Sequence, residues 1–535
     1  MHSSTLGRRI NMRLPSVVGF LLISAIALAQ PVNVQVNSPA STDPEEVTIA
    51  INPVDPQNLL AGANIRYYYY STDGGRSWTE GKLTSAYGVW GDPCVIYDAQ
   101  GKAYYGHLSR PPAGQGYFLD RIVVQRSADG GKTWDAGVGV GHNPPRAQQD
   151  KEWLAADQTN SAYRNRLYCA WTQFDSLDSR LAKDSTRILF SLSTDGGAGW
   201  SPPVRISDTA GDCLDEDNTV EGAVPAVGPN GEVYLAWSGP LGIMFDRSTD
   251  GGSTFGKDIF VANQPGGWDF GVPGIYRCNG LPVTACDVSR SKYRGSVYVL
   301  WSDQRNGIDN TDVFLAKSTD GGLTWGPARR VNDDLTVTHQ FFPWLAVDQA
   351  NGNVYVVFYD RRNTIGNMTE VYLARSTDGG VTFFNTKVSS SPFSPISSVF
   401  FGDYTNIAAA NGSIYPIWMR LDTTRLSVWT ALVKDTLAAG VALEPGIAGG
   451  FSLAQNYPNP FNPSTTIRYG LPRRSNVTLT VLNMLGQEVK TLVVGEQPGG
   501  VYEVSLDARG LASGVYIYRL SAGEYVAARK FVVVK

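Results

Sequence analysis

Ser71-Thr72-Asp73-Gly74-Gly75-Arg76-Ser77-Trp78 is one of six copies of the pattern Ser-x-Asp-Gly-Gly-x-x-aromatic in this chain of 535 residues. The other copies begin at Ser127, Ser193, Ser248, Ser318 and Ser376. The Asp of such an octet accepts hydrogen bonds from nearby backbone N–H groups, and the Gly pair supplies positive φ. The aromatic ring then folds back onto a sheet. Each copy therefore predicts a β-hairpin turn, and the repetition predicts a fold built from similar units.

Two further patterns recur upstream of the octets. An apolar strand such as Cys94–Tyr97 comes first, and a Gly-x-hydrophobic-Tyr segment such as Gly231 to Trp237 follows it. Together with the strands on either side of the octet, they give four strands per unit, which is one propeller blade. We count seven units, the last of which, Phe400 to Val433, lacks the octet; Val32 to Val36 is predicted to supply its outer strand. The sequence thus predicts an all-β protein with a seven-bladed propeller, six blades being the alternative.

The octet resembles the Asp box, or BNR repeat, of the sialidase superfamily, over roughly residues 30–440. This resemblance implies a secreted, sialidase-like glycoside hydrolase, although propellers that do not hydrolyse glycans also carry Asp boxes. Two departures stand out. Sialidases have six blades, and their Phe/Tyr-Arg-Ile-Pro start is replaced here by Pro44-Glu45-Glu46-Val47.

The C-terminal residues form a second predicted domain, 451–535, after a linker at 441–450. Its start contains the run Tyr457-Pro458-Asn459-Pro460-Phe461-Asn462-Pro463, and alternating strands follow. This segment resembles the type A sorting domain of the type IX secretion system. The resemblance implies a small Ig-like β-sandwich and export across the inner and outer membranes of a bacterium, to the medium or the cell surface. An ordinary Ig-like adhesive module is the alternative.

Residues 1–29 have the pattern of a secretory signal peptide, with Arg8 and Arg9 before an apolar run and Ala27-Leu28-Ala29 as the cleavage site. No other segment approaches the length of a membrane-spanning helix, so we expect none in the mature chain. The chain has 45 basic and 49 acidic residues and a formal charge of −4, which argues against nucleic acid as a partner.

The face of a propeller opposite its octets is where the inner strands begin, so polar residues there are predicted to meet at the central mouth. By position in their units, the candidate catalytic residues are Asp92, Glu221, Tyr404 and Asp403. The candidate substrate-binding residues are Arg305, Arg361, Arg362, His339, Glu152 and Asp150. Carboxyls crowded together raise one another's pKa values, which suits a general acid, and arginine forks suit a substrate carboxylate.

Sialidases use a Tyr activated by a Glu, an Asp acid/base and three Arg residues. By the resemblance, Tyr404 and Glu221 would be the first pair and Asp92 the acid/base. The three arginines that bind the substrate carboxylate would be Arg305, Arg361 and Arg362. The structural alternatives stay open at this point. The Asp-x-Arg-Asn loops that contain Arg305 and Arg362 would then be salt-bridged staples between blades, Asp92 and Asp403 would cap strands, and Tyr404 and His339 would simply be packed.

Metal and disulfide sites are weakly indicated. Asp215 and Asp217 lie in an acidic loop that would suit Ca²⁺, with a solvated loop as the alternative; no cofactor is otherwise required. Cys278 and Cys286 are a plausible disulfide in an exported protein, with Cys213 as a competing partner.

Three functions remain. The first is a glycoside hydrolase acting on an extracellular glycan or glycoprotein, the second a non-catalytic propeller that binds a glycan or protein, and the third a structural or adhesive surface protein. The type IX secretion machinery is the other expected partner.

Overall fold

The computed structural model describes residues 31–141, 146–435, 451–497, 500–523 and 525–534. The predicted signal peptide at 1–29 and the linker at 441–450 lie outside these residues. The described residues are all-β and contain no helix, and none of their segments is a helix long and apolar enough to span a membrane. The chain divides into two compact units, Met1–Ala439 and Gly440–Lys535.

The first unit contains seven four-stranded antiparallel sheets, which we call blades 1 to 7. In each blade, consecutive strands are neighbours, and the first is innermost. The strands, from inner to outer, are Thr48–Ile51, Leu59–Ala63, Tyr67–Ser71 and Thr79–Lys82 in blade 1; Cys94–Tyr97, Ala103–Leu108, Ile122–Ser127 and Val138–Val140 in blade 2; Gln148–Ala156, Leu167–Phe174, Thr186–Ser193 and Val204–Arg205 in blade 3; Glu221–Val227, Val233–Ser238, Ile243–Ser248 and Ile259–Ala262 in blade 4; Val283–Cys286, Val297–Asp303, Asp312–Ser318 and Arg329–Arg330 in blade 5; Gln340–Asp348, Asn353–Asp360, Glu370–Ser376 and Phe384–Lys387 in blade 6; and Asn406–Ala410, Ser413–Asp422, Arg425–Lys434 and Val32–Gln35 in blade 7.

The octets form the predicted turns between the third and fourth strands. In the first copy, the Asp73 carboxylate accepts hydrogen bonds from the N–H groups of Arg76 at 2.9 Å and Ser77 at 3.0 Å. Gly74 and Gly75 have φ of +71° and +79°, which residues with a Cβ rarely adopt. The Trp78 indole donates to the Gly75 carbonyl at 3.1 Å, so the ring closes the turn.

The ring of blades is closed by the two ends of the propeller sequence. Val32–Gln35 pairs antiparallel with Arg425–Lys434, with Val32 opposite Leu432, as the alternation of Val32 to Val36 predicted. The innermost strand of each blade also contacts those of both neighbouring blades, and the seventh contacts the first. The second strands of blades 1 to 6 are buried throughout, and the second strands of blades 3, 4, 5 and 7 each bury a Trp side chain, at Trp171, Trp237, Trp301 and Trp418.

An insertion between blades 4 and 5 carries a short hairpin in which Asp269–Phe270 pairs with Cys278–Asn279. The predicted disulfide is wrong, because all five cysteines are free and buried. Cys278 lies in this hairpin, whereas Cys286 ends the inner strand of blade 5, and the two thiols belong to different hydrophobic clusters. Cys94 and Cys169 are packed together in a further hydrophobic cluster.

The second unit consists of two sheets around one core that includes Leu479 and Phe531. One sheet has the order Ser452–Leu453, Ser464–Leu471, Gly500–Asp507. The other has the order Glu488–Gln497, Ser475–Leu482, Gly514–Ala522, Tyr525–Val533.

Candidate functional site at the mouth of the propeller

In several blades a residue in the left-handed backbone region lies just before the inner strand or within its first four residues. Glu46, Asp92, Lys151 and Phe342 have φ between +49° and +53° in blades 1, 2, 3 and 6. Strand pairing shifts register at the same place in blades 3, 4 and 6, which marks a β-bulge. Bulges re-aim side chains, and non-Gly residues with positive φ are strained and cluster at functional sites. The backbone thus brings side chains from several blades together at the mouth.

Lys151 lies at the centre of one group of carboxylates. Its Nζ is 2.5 Å from Asp403 Oδ2, 3.8 Å from Asp92 Oδ2 and 3.9 Å from Glu46 Oε1. Burial alone would lower the pKa of Lys151, but these carboxylates outweigh it and hold that pKa well above its usual value. The Asn64 amide donates to Glu46 and accepts from the Asp92 N–H at 2.9 Å, which fixes the two acidic residues side by side.

Arg277 reaches the same mouth from the insertion hairpin. Its guanidinium makes a two-pronged contact with Asp403, with Nε 3.1 Å from Oδ1 and Nη2 on Oδ2, and its Nη1 donates to Asp215 at 3.1 Å. The neighbouring Asn279 amide donates to the Asp403 carbonyl at 3.0 Å. Burial would raise the pKa of Asp403, but Lys151 and Arg277 lower it well below its usual range. Asp403 is therefore ionised and fully paired.

A pocket opens beside this network. Its empty volume is about 560 Å³, counting the part that opens to solvent. Asp92, Glu152 and Asp403 line its polar side; its apolar side is formed by Ala223, Val224, Leu281, Pro282, Val283 and Pro343. Trp153 and Trp344, with ring centroids 4.4 Å apart, line both this pocket and a second cavity along the inner strands.

Glu152 differs from its neighbours in having no partner. Its side chain is 1% exposed, and neither carboxyl oxygen has a hydrogen-bond partner among the described residues. Burial, and then the charge of Asp92, raise the pKa of Glu152 well above its usual value. Both effects favour the protonated form of Glu152, which lies at the wall of the pocket.

The other carboxyls of the mouth behave similarly. Burial and the charge of Asp92 raise the pKa of Glu46 well above its usual value, and raise that of Asp150 to about 8. Burial, followed by the charges of Asp215 and Asp150, raises the pKa of Glu221. Buried carboxyls with raised pKa values are suited to general-acid roles.

Tyr404 also lines the pocket. Its ring packs edge-on against Trp153 at 5.6 Å, and its hydroxyl has no hydrogen-bond partner in the described chain. Burial, together with Glu46, Asp92 and Glu152, raises the pKa of Tyr404 well above its usual value. The hydroxyl therefore stays protonated.

The predicted catalytic and substrate-binding residues that do not line the pocket are Arg305, Arg361, Arg362, His339, Asp150 and Glu221. Arg305 Nη2 is 2.5 Å from Asp303, and its guanidinium lies 4.1 Å from the Phe314 ring centroid. Arg362 is paired with Asp360 at 2.7 Å and with Asp333. The two loops are salt-bridged, as in the alternative, but each arginine pairs with the Asp of its own loop, and of the two only Arg362, through Asp333, also forms a salt bridge between two blades.

Arg361 and His339 lie close together in the same region of blade 6. Arg361 is 3% exposed, donates to Thr369 Oγ1 at 3.1 Å and contacts no carboxylate within the described residues. Burial lowers the pKa of Arg361 to about 10. His339 Nδ1 is 3.0 Å from Thr311 Oγ1, and burial, then Arg361, lower the His339 pKa to about 4, so the ring is neutral.

The predicted metal loop is held by other contacts. Asp215 is paired with Arg277, and Asp217 accepts from the Asp269 N–H at 2.8 Å. In the part of the chain that the structure describes, no group of three or more His, Cys, Asp or Glu side chains is arranged as metal ligands.

Sequence reasoning missed Arg277, Asn279 and Asn64. Arg277 and Asn279 belong to no repeat, since they lie in the insertion, whose sole signal is the long interval between the octets at Ser248 and Ser318. Asn64 lies between the second and third strands of blade 1, where no charge or motif marks it.

Family models match two parts of the chain. Residues 69–80 match the BNR/Asp-box repeat, and residues 455–534 match the secretion system C-terminal sorting domain. The chain is an Asp-box propeller with a C-terminal sorting domain. This sorting domain marks the protein for export across the outer membrane, to the cell surface or the medium. No curated protein sequence matches the chain.

Several solved structures are similar to this chain at low identity. The α-L-arabinofuranosidase Arb93A of Fusarium graminearum is 12% identical, with 74% of this chain and 98% of that chain covered, and a TM-score of 0.42. The NanB sialidase of Streptococcus pneumoniae is 8% identical, with 71% and 83% covered and a TM-score of 0.42. A PL25 ulvan lyase is 10% identical, with 75% and 96% covered and a TM-score of 0.45. The activities in these names belong to those proteins.

Proposed function

We propose that the mouth of the propeller is the active site of a secreted glycoside hydrolase. The observation that carries this proposal is the pairing of Glu152 and Asp92 at one pocket. Glu152 is buried and without a partner, its raised pKa favours the protonated form, and Asp92 is a carboxyl that lines the same pocket. Most glycoside hydrolases use two carboxyls that flank the scissile bond, one of which is the general acid.

In this proposal Glu152 is the general acid and donates its proton to the glycosidic oxygen as the bond to the anomeric carbon breaks. Asp92 is the second carboxylate, which assists attack on that carbon. Ordinary glycosidases hold their two carboxyls about 5–10 Å apart. Asp92 itself is fixed by the Asn64 hydrogen bond and by Lys151, so its position does not depend on substrate.

Sialidase chemistry is the second candidate, and Tyr404 is the observation that favours it, because its hydroxyl lies free at the pocket beside several carboxyls. Two features favour substrates without a carboxylate instead. The Tyr404 pKa is raised, which disfavours a phenolate nucleophile. The mouth cations Lys151 and Arg277 are already paired with Asp403, so neither is free to pair with a sialic acid carboxylate.

The test is a hydrolysis screen of the exported protein on neutral aryl glycosides, neutral oligosaccharides and aryl sialosides. We expect turnover of a neutral substrate, with kcat reduced at least about 100-fold in Asp92→Asn and Glu152→Gln. Tyr404→Phe should keep most of this activity. Asp309→Asn, an exposed carboxyl in a loop of blade 5, is the matched control and should leave it unchanged.

Two results would contradict the proposal. Turnover of sialosides that Tyr404→Phe abolishes would replace it by sialidase chemistry. Absence of turnover on every glycan would leave the propeller as a binding module.

A further inference from the structure

The insertion between blades 4 and 5 forms one wall of the pocket and carries an exposed aromatic ring beside it. Asn279, Leu281 and Pro282, at the end of the insertion, line the pocket. Three residues before Asn279, the side chain of Tyr276 is 68% exposed. The same short segment of chain therefore supplies both a wall of the pocket and an aromatic ring outside it.

Tyr276 is paired with a second aromatic ring, that of Phe400, which precedes the inner strand of blade 7. The two ring centroids are 6.3 Å apart, and the ring planes are perpendicular, at 90°. This edge-to-face arrangement is favourable for aromatic pairs and holds the rings at a defined angle. Tyr276 is thus the exposed member of an ordered pair of rings and not a single apolar side chain on the surface.

Arg277 connects this aromatic pair to the pocket. Its guanidinium carbon lies 5.6 Å from the Phe400 ring centroid, and its Nε lies 3.1 Å from Oδ1 of Asp403, a carboxylate that lines the pocket. Asp403 follows Phe400 by three residues, and Arg277 follows Tyr276 directly. Both rings are therefore held at the rim of the pocket by chain segments that meet in a buried ion pair.

The chemistry of Tyr276 suits a sugar ring. One face of a pyranose ring presents C–H groups and is apolar, whereas its edge carries hydroxyls. The ring of a Tyr can cover such a face while its own hydroxyl stays in water. An exposed aromatic ring gains hydrophobic free energy only when a ligand covers it. A glycan chain that enters the pocket by its end continues across the rim, where Tyr276 lies.

We propose that Tyr276, oriented by Phe400, is a second sugar-binding subsite at the rim of the pocket, and that the protein therefore prefers oligosaccharide chains to single sugars. This inference rests on the proposed function for the choice of a glycan. It assigns to Tyr276 a specificity role outside the pocket and no chemical step.

The first test measures binding, so that it does not depend on turnover. Xylohexaose, cellohexaose and mannohexaose, and the three corresponding monosaccharides, are titrated by calorimetry into the exported protein with Glu152→Gln, so that no chain is cleaved. At least one hexasaccharide should bind at least about tenfold more tightly than its monosaccharide, and Tyr276→Ala should remove this advantage. Tyr276→Phe retains the ring and should retain most of the advantage.

Phe384→Ala is the matched control for Tyr276→Ala. Phe384 is 67% exposed, but it begins the outermost strand of blade 6 directly after an octet, on the face of the propeller opposite the mouth. Its removal deletes an equally exposed aromatic ring and should leave the affinity for the hexasaccharide unchanged.

The second test measures turnover with Glu152 intact. It compares kcat/KM for an aryl monosaccharide and an aryl trisaccharide of the sugar that the hydrolysis screen selects. Tyr276→Ala should lower kcat/KM at least about tenfold more for the trisaccharide than for the monosaccharide, because only the longer substrate reaches the rim.

Equal affinity for every hexasaccharide and its monosaccharide, or an advantage that Tyr276→Ala leaves intact, would overturn the inference. Turnover of the aryl trisaccharide that does not depend on Tyr276 would sink this inference alone and leave the hydrolase standing. Binding that depends on Tyr276, without turnover of any glycan, would instead sink the proposed hydrolase and leave the subsite standing.

Discussion

Asp403 is the shared partner of two cations at the mouth, because both Lys151 and Arg277 form ion pairs with it. Removing one partner of a buried ion pair costs about 3–5 kcal/mol, since the remaining charges are left without compensation. We therefore expect Asp403→Asn to lower the free energy of unfolding by about that amount, measured by chemical denaturation of the exported protein.

Asp422→Asn is the matched control for Asp403→Asn. Asp422 is paired with Arg420, but its side chain is 54% exposed, and such surface pairs are worth about 0–1 kcal/mol. Similar small losses in both variants would mean that the ion pairs around Asp403 do not hold the mouth together.

The raised pKa of Asp150 predicts a dependence of stability on pH. Folding raises this pKa from about 3.9 to about 8, so the group stabilises the fold most below about pH 4 and loses that contribution as the pH rises towards 8. Asp150→Asn should therefore increase the melting temperature more at pH 8 than at pH 5. A gain that does not change with pH would contradict the raised pKa.

For Asp129 in the second octet, the dependence of stability on pH should have the opposite sign. Hydrogen bonds from Thr133 and Ser127 outweigh the effect of burial and lower its pKa to about 2. This carboxyl stabilises the fold above its unfolded pKa, and the contribution disappears as the pH falls towards 2. The loss of stability caused by Asp129→Asn should accordingly shrink in acid.

At the scale of the element, the third octet lacks a side-chain hydroxyl that the second octet has. In the second octet the Thr133 hydroxyl donates to Asp129 Oδ2 at 2.6 Å, but the equivalent position in the third is Gly199. A Cβ on Gly199 would lie 3.2 Å from Asp195 Oδ2, the end of a side chain that can adjust. Gly199→Thr should restore the hydroxyl contact and stabilise the protein by about 0.5–1.5 kcal/mol.

Gly197→Thr is the control for this gain and should destabilise the protein, because Gly197 has φ of +77°. Thermal unfolding of both variants provides the measurement. A loss of stability in Gly199→Thr would contradict the role assigned to the hydroxyl of the octet.

The octets also show how far sequence reasoning reaches. Their turns, and the face on which the inner strands begin, follow from local chemistry that repeats, so Asp92, Glu152 and Asp403 are found from position within a unit. Arg305 and Arg362 occupy equally regular positions, but they are paired with Asp303 and Asp360, two residues away. The charge of an arginine in the sequence does not show whether a neighbouring carboxylate already pairs with it. Arg277 lies in an insertion and contacts Asp403 through tertiary packing. The repeats therefore do not predict this contact.

At the scale of the whole molecule, the propeller depends on the pairing of Val32–Gln35 with Arg425–Lys434, which joins the first residues of the unit to the last blade. A chain that begins at Asn37 should lose this outer strand. We expect the melting transition of the propeller to fall by several degrees, while a chain that begins at Pro31 should behave like the parent. Unchanged melting of the shorter chain would show that the closure does not stabilise the ring.

The central claim is that Glu152 delivers the proton to the leaving group, and the dependence of rate on the leaving group tests it most directly. The measurement is kcat for Glu152→Gln on neutral aryl glycosides with an activated dinitrophenyl leaving group and with an unactivated one. If Glu152 is the acid, the variant retains most of the parent rate on the activated substrate, which needs no proton, and loses at least about 100-fold on the unactivated one. An equal loss on both substrates, or no loss on either, would contradict the account.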